Sequence, residues 1–306
     1  MNRLANMSES RHQMAFVDPR WYQIAALAGL LCYGAIWLRF DVALPLSAVI
    51  LATALGVQLL FTRLFHLPAF DPKSALISAL SLCLLLRTNS PWLAAATAAA
   101  AIAGKFLLRW NGKHLFNPTN FGLVLMLLLA DGRVWVSPGQ WGNAAFFGFL
   151  MACLGGLVVT RAARADVTFA FLASYLALLF GRSLWLGEPM SIPLHRLENG
   201  ALLLFAFFMI SDPKTTPDSR AGRVVFAVLV ALGAAFVQFK LFRTNGLLWS
   251  LAVCPVFVPV LDRVLPGRRY QWCVARELIS NSNHERKGKK YETNHPAGAP
   301  VGAGAG

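Results

Sequence analysis

Apolar runs separated by short polar loops make up most of the chain between residues 21 and 262. A helix rises about 1.5 Å per residue, so about 20 apolar residues cross the hydrocarbon core of a bilayer. The pattern therefore predicts an all-α integral membrane protein with about ten transmembrane helices. The predicted helices are approximately 21–38, 43–65, 74–86, 91–108, 117–130, 143–160, 167–181, 197–210, 222–239 and 246–262.

Two of these runs, 74–86 and 117–130, are too short to cross a bilayer comfortably. We expect them to be tilted, re-entrant or half-buried helices, as in transporters with broken helices. An even number of about ten spans places both chain termini on the same side of the membrane.

Composition agrees with a polytopic membrane protein, because 57% of the residues are hydrophobic and only 14% are charged. The net charge of +14 comes from Lys and Arg in the loops and the tail. No basic face interleaved with aromatic residues is present, so the predicted partner is the lipid bilayer and not nucleic acid. The loops on the N-terminal side hold more Lys and Arg than the opposite loops, which predicts cytoplasmic termini.

The chain divides into three predicted regions. Residues 1–20 form a polar cytoplasmic segment, residues 21–265 the membrane domain, and residues 266–306 a basic tail of a composition typical of disorder. Within the membrane domain, residues of about 21–130 are weakly echoed by about 143–262. Five spans in each repeat would invert one repeat relative to the other. Any two Ala- and Leu-rich helices look alike, so the residues alone leave the repeat open.

The stretch Gly104 to Gly122, GKFLLRWNGKHLFNPTNFG, marks a helix start. Pro118 is tolerated in the first turn of a helix, and Asn117 can cap that turn. We call residues 117–120 the Asn-Pro motif. It is either an ordinary capped helix near the membrane surface or part of a binding site.

The second unusual stretch is FFMISDPKTTPDSRAG, residues 207–222, and we call its residues 212–217 the Asp-Pro motif. Its Asp, Ser and Thr side chains can bond backbone amides, and such turns also bind anions. We expect Asp212 to cap its own turn. In an inverted repeat the two motifs would meet between the halves. The candidate cofactor-binding residues are then Asn117, Thr119, Asn120, Lys214 and Thr215.

Other polar residues point to no particular chemistry. The five Cys are scattered singly, and His114 and His195 have no carboxylate at metal-ligand spacing, so no metal site is expected. Gln58 is the deepest polar residue and is expected to bond a neighbouring helix, whereas Gln238 and Asp262 lie at run edges where water can solvate them. The chain has no nucleotide-binding or hydrolase motif, and its catalytic residues are unknown.

Taken together, GKFLLRWNGKHLFNPTNFG, LENGALLLFAFFMISDPKTTPDSRAGRVVF and LAVCPVFVPVLD resemble the RnfD and NqrB membrane subunits of bacterial redox-driven ion pumps. The resemblance covers about residues 40–265 in order. It implies ten helices in two inverted five-helix halves, a bacterial inner-membrane location, and a redox or non-catalytic role in an ion-translocating oxidoreductase complex.

One departure concerns the flavin. Flavin-carrying members of that family attach FMN to the Thr of a Gly-Ala-Thr stretch, but the corresponding region here reads DGRVWVSPGQWGN. Covalent FMN is therefore not expected, and the predicted cofactor is a non-covalent flavin, FMN or riboflavin. In its short length and in the sequence HLFNPTNFG, the chain resembles a stand-alone branch of the family, called UnbU, that is linked to enediyne biosynthesis.

Two functions remain open. The first is a subunit for membrane electron transport with redox partner subunits or a flavoprotein, in which an aromatic slot holds a flavin. Its walls would come from Trp110, Phe116, Phe121, Trp135 and Trp141. The second is a transporter or channel for a small solute that serves a biosynthetic pathway, in which case these aromatic residues are interface anchors.

Overall fold

The computed structural model describes residues 18–36, 43–137, 154–160, 164–197 and 199–270, and most of them are helical. The helices before residue 130 are α1 (Pro19–Ile36), α2 (Leu44–Leu64), α3 (Lys73–Leu85), α4 (Pro91–Leu107) and α5 (Pro118–Leu129). After residue 164 they are α6 (Ala165–Leu186), α7 (Ser191–Leu197), α8 (Gly200–Leu204), α9 (Arg220–Phe239), α10 (Gly246–Val253) and α11 (Val258–Val264). Residues 154–160 are also helical.

Two of these helices change their winding. A π-helical turn, Phe205–Met209, continues α8, and a 3₁₀ turn, Cys254–Phe257, joins α10 to α11. The π turn leads directly into the Asp-Pro motif. π turns are rare, and they occur often at functional sites.

Four short strands form two small sheets among the described residues. β1 (Leu86–Thr88) pairs antiparallel with β4 (Val134–Val136), and β2 (Arg109–Trp110) pairs antiparallel with β3 (Lys113–His114). We call residues 109–114 the hairpin. Asn111 and Gly112 in its turn have φ angles of 47° and 76°. Asn-Gly is the preferred pair for a two-residue turn with both φ angles positive, which explains the tight turn.

Four helical stretches in the described part of the chain are long and apolar enough to cross a membrane: α2, α6, α9 and the continuous stretch Gly246–Val264. The helices α3, α4, α5 and Gly200–Met209 are apolar but shorter. At 1.5 Å per residue, the 13 residues of α3 extend about 20 Å, which is less than the hydrocarbon thickness of about 30 Å. The runs 74–86 and 117–130 form short helices, and their tilted or re-entrant placement in the membrane stays a prediction.

The other predicted runs match helices to within a few residues, except that most of 143–160 lies outside the described residues. The predicted count of ten spans and the inverted orientation of the halves stay predictions. The predicted N-terminal segment and most of the tail also fall outside the described residues.

Helix packing follows a similar order in both halves of the chain. In the first half, α2 packs on α3 and α4, and α4 packs on α5. In the second half, α6 packs on α9, and α9 packs on α10. Contacts between α5 and α10 join the two halves.

Small residues allow the closest of these helix contacts. A Cβ added to Gly122 in α5 would lie 2.7 Å from the carbonyl oxygen of Thr97 in α4. A Cβ added to Gly246 in α10 would lie 2.7 Å from the carbonyl oxygen of Ala234 in α9. Close backbone approach through Gly and Ala is typical of helices packed in membranes, where lipid is as apolar as the side chains.

Ion pairs cluster where the predicted cytoplasmic loops come together. Arg20 at the start of α1 pairs with Asp71, which precedes α3. Arg223 near the start of α9 donates to both carboxylate oxygens of Asp166 near the start of α6. We call this region, which includes the hairpin and the Asp-Pro motif, the hairpin end of the bundle. β1, β4 and the ion pair between Arg182 and Glu188 lie at the other ends of the same helices.

Candidate functional site at the junction of the two motifs

The Asn-Pro motif starts α5 in the way its sequence predicts. The Asn117 Oδ1 atom accepts a hydrogen bond from the backbone N–H of Asn120 at 3.1 Å, and Pro118 occupies the first helical position. The side chain thus satisfies one of the four N–H groups that a helix start leaves open. Both Asn residues are buried.

The Asp-Pro motif is a compact turn built around Asp212. The Asp212 Oδ1 atom accepts from the backbone N–H of Lys214 at 3.0 Å. The hydroxyls of Thr215 and Thr216 donate to the Asp212 carbonyl oxygen at 3.3 and 3.1 Å. The expectation that Asp212 caps its own turn is confirmed, because one residue supplies both acceptors.

The two motifs are in direct contact. The Asn117 Nδ2 group donates to the carbonyl oxygen of Met209 at 3.3 Å and to the Asp212 Oδ2 atom at 3.4 Å. Met209 is the last residue of the π turn. Asn117 therefore caps α5 with its side-chain oxygen, and its side-chain nitrogen donates hydrogen bonds to the second half of the chain. We call this contact the motif junction.

Thr119 and Asn120 connect the start of α5 to α3 and α10 by hydrogen bonds. Thr119 donates to the carbonyl oxygen of Ser78 in α3 at 3.4 Å, and the Asn120 Nδ2 group donates to that of Leu248 in α10 at 3.1 Å. Asn120 is 0% exposed, and its Oδ1 atom has no hydrogen-bond partner among the described residues. A buried acceptor without a hydrogen-bond partner is unusual, because buried polar atoms are normally hydrogen-bonded.

The predicted cofactor-binding residues do not fit an isoalloxazine ring as they stand. Asn117, Thr119, Asn120 and Thr215 are buried and use their donor groups within the chain, and Lys214 is half-buried. Two cavities in the described part of the chain, one beside β1 and one beside the hairpin, are lined by none of these five. Burial lowers the pKa of Lys214, and the nearby charge of Asp212 opposes that shift.

The predicted aromatic slot is not assembled either. Phe116 and Phe121 stack on each other, with ring centroids 5.6 Å apart. Trp110 lies in the hairpin, whereas Trp135 lies in β4 and faces a separate cavity beside β1. The fifth member, Trp141, lies outside the described residues.

A buried lysine lies close to the junction, and sequence reasoning missed it as a site residue. Lys105 in α4 is 5% exposed, and its Nζ group donates to Gln58 in α2 and to Ser74 in α3. Among the described residues it has no carboxylate within ion-pair distance. The expected helix-to-helix hydrogen bond of Gln58 is confirmed, and its partner is a cation. The sequence signal that could have pointed to Lys105 is the Gly-Lys pair at 104–105, which lies in the stretch that resembles the family.

A second lysine joins the hairpin to the second half of the chain. The Lys113 Nζ group donates to Asp218 at 3.0 Å, to Asp262 at 2.8 Å and to the carbonyl oxygen of Thr216 at 2.9 Å. Asp262, which we expected at a run edge where water can solvate it, is also bound within the chain, because Lys113 and the Asp218 N–H occupy its two oxygens. Gln238, also expected to be solvated, accepts from the Tyr175 hydroxyl at 2.8 Å.

His114 lies beside this cluster in β3. Burial, and then the positive charges of Lys105 and Arg109, lower its pKa from 6.5 to about 3. The imidazole is therefore neutral at physiological pH. No group of three or more His, Cys, Asp or Glu residues in the described part of the chain could hold a metal ion.

Comparison with known proteins finds a family that part of the chain resembles. Residues 134–271 match the model of the NQR2, RnfD, RnfE family. Over this stretch the chain is similar to that family. The matched region contains the Asp-Pro motif and ends at residue 271, near the start of the predicted tail, whereas the Asn-Pro motif lies outside it. The resemblance to the stand-alone branch linked to enediyne biosynthesis stays a prediction.

Three relatives are named as subunits of an ion-translocating oxidoreductase complex. The protein from Erwinia tasmaniensis is 32% identical over 136 residues, which are 43% of this chain and 36% of that protein. The Pseudomonas paraeruginosa protein is 26% identical over 256 residues, 64% of this chain and 74% of the relative. The Sodalis glossinidius protein is 25% identical over 300 residues, 74% of this chain and 86% of the relative. This chain therefore spans about a third of the first relative and most of the other two.

Proposed function

We propose that the chain is a multi-pass membrane subunit of an electron-transport complex that translocates ions, located in a bacterial inner membrane. The names of the three relatives support this role. The alignments with the Pseudomonas and Sodalis proteins extend over most of their length, so they include most of the membrane domain. The relatives are named as subunits of a complex, which supports redox partner subunits for this chain.

The observation that carries the proposal is the motif junction. Asn117 and Asp212 are 95 positions apart, and they belong to the two stretches by which the chain resembles its family. A direct hydrogen bond between them supports a common site for the two motifs. Polar groups buried between membrane helices are costly, so they are typical of ion pathways and binding sites.

The proposed architecture is a pair of inverted five-helix repeats. The shared packing order, α2 to α4 to α5 and α6 to α9 to α10, supports it. The two motifs then occupy the junction where broken helices meet, which is where transporters with this plan bind ions and substrates. The open Asn120 Oδ1 acceptor lies at that junction and is suited to a donor group or a cation.

A non-covalent flavin, FMN or riboflavin, is the electron carrier predicted for the complex. The predicted residues offer no slot for it, so we assign it no step and no contact on this chain. Redox partner subunits would then hold the carrier, and this chain would provide the membrane path. Covalent FMN is excluded from the proposal, because no Gly-Ala-Thr stretch occurs in the sequence.

Purification of the full chain from its native membrane tests this role. A tagged chain in mild detergent should co-purify with redox proteins, and acid denaturation should release flavin into the supernatant. An unrelated multi-pass protein with the same tag is the control. A chain that purifies alone, with no chromophore and no partner above the control, would contradict the proposal and favour a solute channel.

A further inference from the structure

A cavity of about 320 Å³ lies beside the hairpin. Trp110 and His114 of the hairpin form one side of the cavity, and Val258 and Pro259 at the start of α11 contribute apolar surface. Its volume is at the lower end of the range for small-molecule sites, about 300 to 1,000 Å³. The residues of the Asn-Pro and Asp-Pro motifs do not line it, so the cavity is distinct from the motif junction.

Two arginines on this cavity have guanidinium groups without a partner among the described residues. Arg263 and Arg269 line the cavity and are exposed, and neither makes a hydrogen bond or an ion pair with a described residue. A Cβ added to Gly112 would lie 3.6 Å from the Arg269 Nη2 atom, so this guanidinium lies over the hairpin turn. The planar fork of a guanidinium matches two oxygens of a phosphate group.

The two carboxylates on the cavity do not compete for these arginines. Asp218 and Asp262 share the Lys113 ammonium, and the second oxygen of Asp262 accepts from the Asp218 N–H. Lys113 thus offsets one of the two negative charges, and the two arginines leave the cavity with net positive charge. His114 adds no charge, because burial keeps its imidazole neutral.

The arginine positions are fixed by the fold. Arg263 is in the last turn of α11. The segment after this helix passes so close to the Asp-Pro motif's loop that a Cβ on Gly267 would lie 2.4 Å from the Ser219 backbone nitrogen. This close approach holds Arg269 beside the hairpin.

From this arrangement we propose that the hairpin cavity binds the phosphate group of an anionic ligand, with Arg263 and Arg269 as its donors. The ligand is either an anionic phospholipid headgroup or a soluble phosphate ester, because both present the same oxygens. Trp110, which is 51% exposed, and Val258 would contact the part of the ligand next to the phosphate.

The test compares full-length wild-type protein with Arg263→Gln, Arg269→Gln and the double variant. Arg63→Gln is the matched control, because Arg63 is exposed at the end of α2 and lies outside the cavity. Binding is measured in detergent with phosphatidylglycerol and phosphatidylcholine by native mass spectrometry, and with glycerol 3-phosphate by calorimetry. Hydrogen bonds to charged groups predict a loss of affinity of about tenfold for each guanidinium removed.

Two outcomes support the proposal, and they distinguish the source of the phosphate. Selective binding of phosphatidylglycerol over phosphatidylcholine that falls in the double variant but not in Arg63→Gln identifies a lipid. Binding of glycerol 3-phosphate with the same variant dependence identifies a soluble ester. If neither probe binds, or if the double variant binds as well as Arg63→Gln, the proposal is wrong. Circular dichroism of each variant confirms that the protein is folded.

Discussion

Replacing Asn117 by Ala removes three hydrogen bonds from the motif junction with one substitution. The lost bonds are the cap on Asn120 N–H and the two donations to Met209 and Asp212. An N-cap is worth about 1 kcal/mol, and each of the two longer bonds about 0.5 to 1 kcal/mol. We therefore expect the free energy of unfolding to fall by about 2 to 3 kcal/mol.

A matched cap isolates the contribution of the junction. Ser219 caps α9 by accepting from Gly222 N–H at 3.0 Å, and its side chain makes no other hydrogen bond in the described part of the chain. Ser219→Ala should therefore cost only about 1 kcal/mol. Asn117→Ser keeps a cap acceptor but loses the amide donor, so its cost should fall between those of the two alanine variants.

The assay is denaturation of the full chain in detergent, followed by tryptophan fluorescence and circular dichroism. The reasoning is refuted if Asn117→Ala costs no more than Ser219→Ala, because the two donations would then contribute nothing. Equal stability of Asn117→Ser and Asn117→Ala would also contradict it, since the cap would then have no measurable value.

The remaining predictions concern titration, topology, flavin attachment and the second lysine. Because burial lowers the pKa of His114 from 6.5 to about 3, the unfolded chain binds more protons between these values, and stability is lost as pH falls through this window. His114→Gln should lose less stability than wild type between pH 6.5 and 4 in the same denaturation assay; equal losses would contradict the assignment. Reporter fusions after Arg133 and after Gly306 should report opposite compartments, and a common compartment would make the predicted span count wrong. The denatured chain should show no flavin fluorescence in a gel, whereas a fluorescent band would reveal attachment at another Ser or Thr. Lys113→Met leaves two carboxylates without their cation and should cost at least about 2 kcal/mol, while Lys240→Met, at an exposed lysine, should cost less than about 0.5 kcal/mol by thermal denaturation; equal costs would show that the ion pairs contribute nothing.

Local features of the junction could be predicted from the sequence. Helix bounds follow from apolar runs, because lipid leaves a spanning segment no other way to satisfy its backbone. The cap at Asn117 and the turn at Asp212 involve residues within four positions of each other. Side chains that bond nearby backbone need only the local sequence.

Contacts between distant residues could not be predicted in this way. The ion pair of Lys113 and Asp262 joins residues 149 positions apart, and nothing in either local sequence names its partner. The sequence predicts Trp110 and Trp135 as walls of one aromatic slot. The pairing of β4 with β1 places Trp135 beside a different cavity, and only the tertiary fold determines that position.

Lys105 shows why a buried charge is hard to recognise in a sequence. It precedes the end of α4 by two residues, where a basic side chain normally extends to water. Here Gln58 and Ser74 from two other helices surround its ammonium group, which explains its burial. Gln58 on α2 and Ser74 on α3 come within hydrogen-bond distance of Lys105 only after the helices have packed.

Redox-driven ion movement in inverted membrane vesicles tests the central claim most directly. Vesicles from wild-type cells and from cells lacking this chain receive the same reductant, and the ion gradient is recorded with a fluorescent probe. The proposed function predicts that the gradient forms with the wild-type chain, is lost without it, and returns when the chain is supplied again. An undiminished gradient in vesicles that lack the chain would contradict the account.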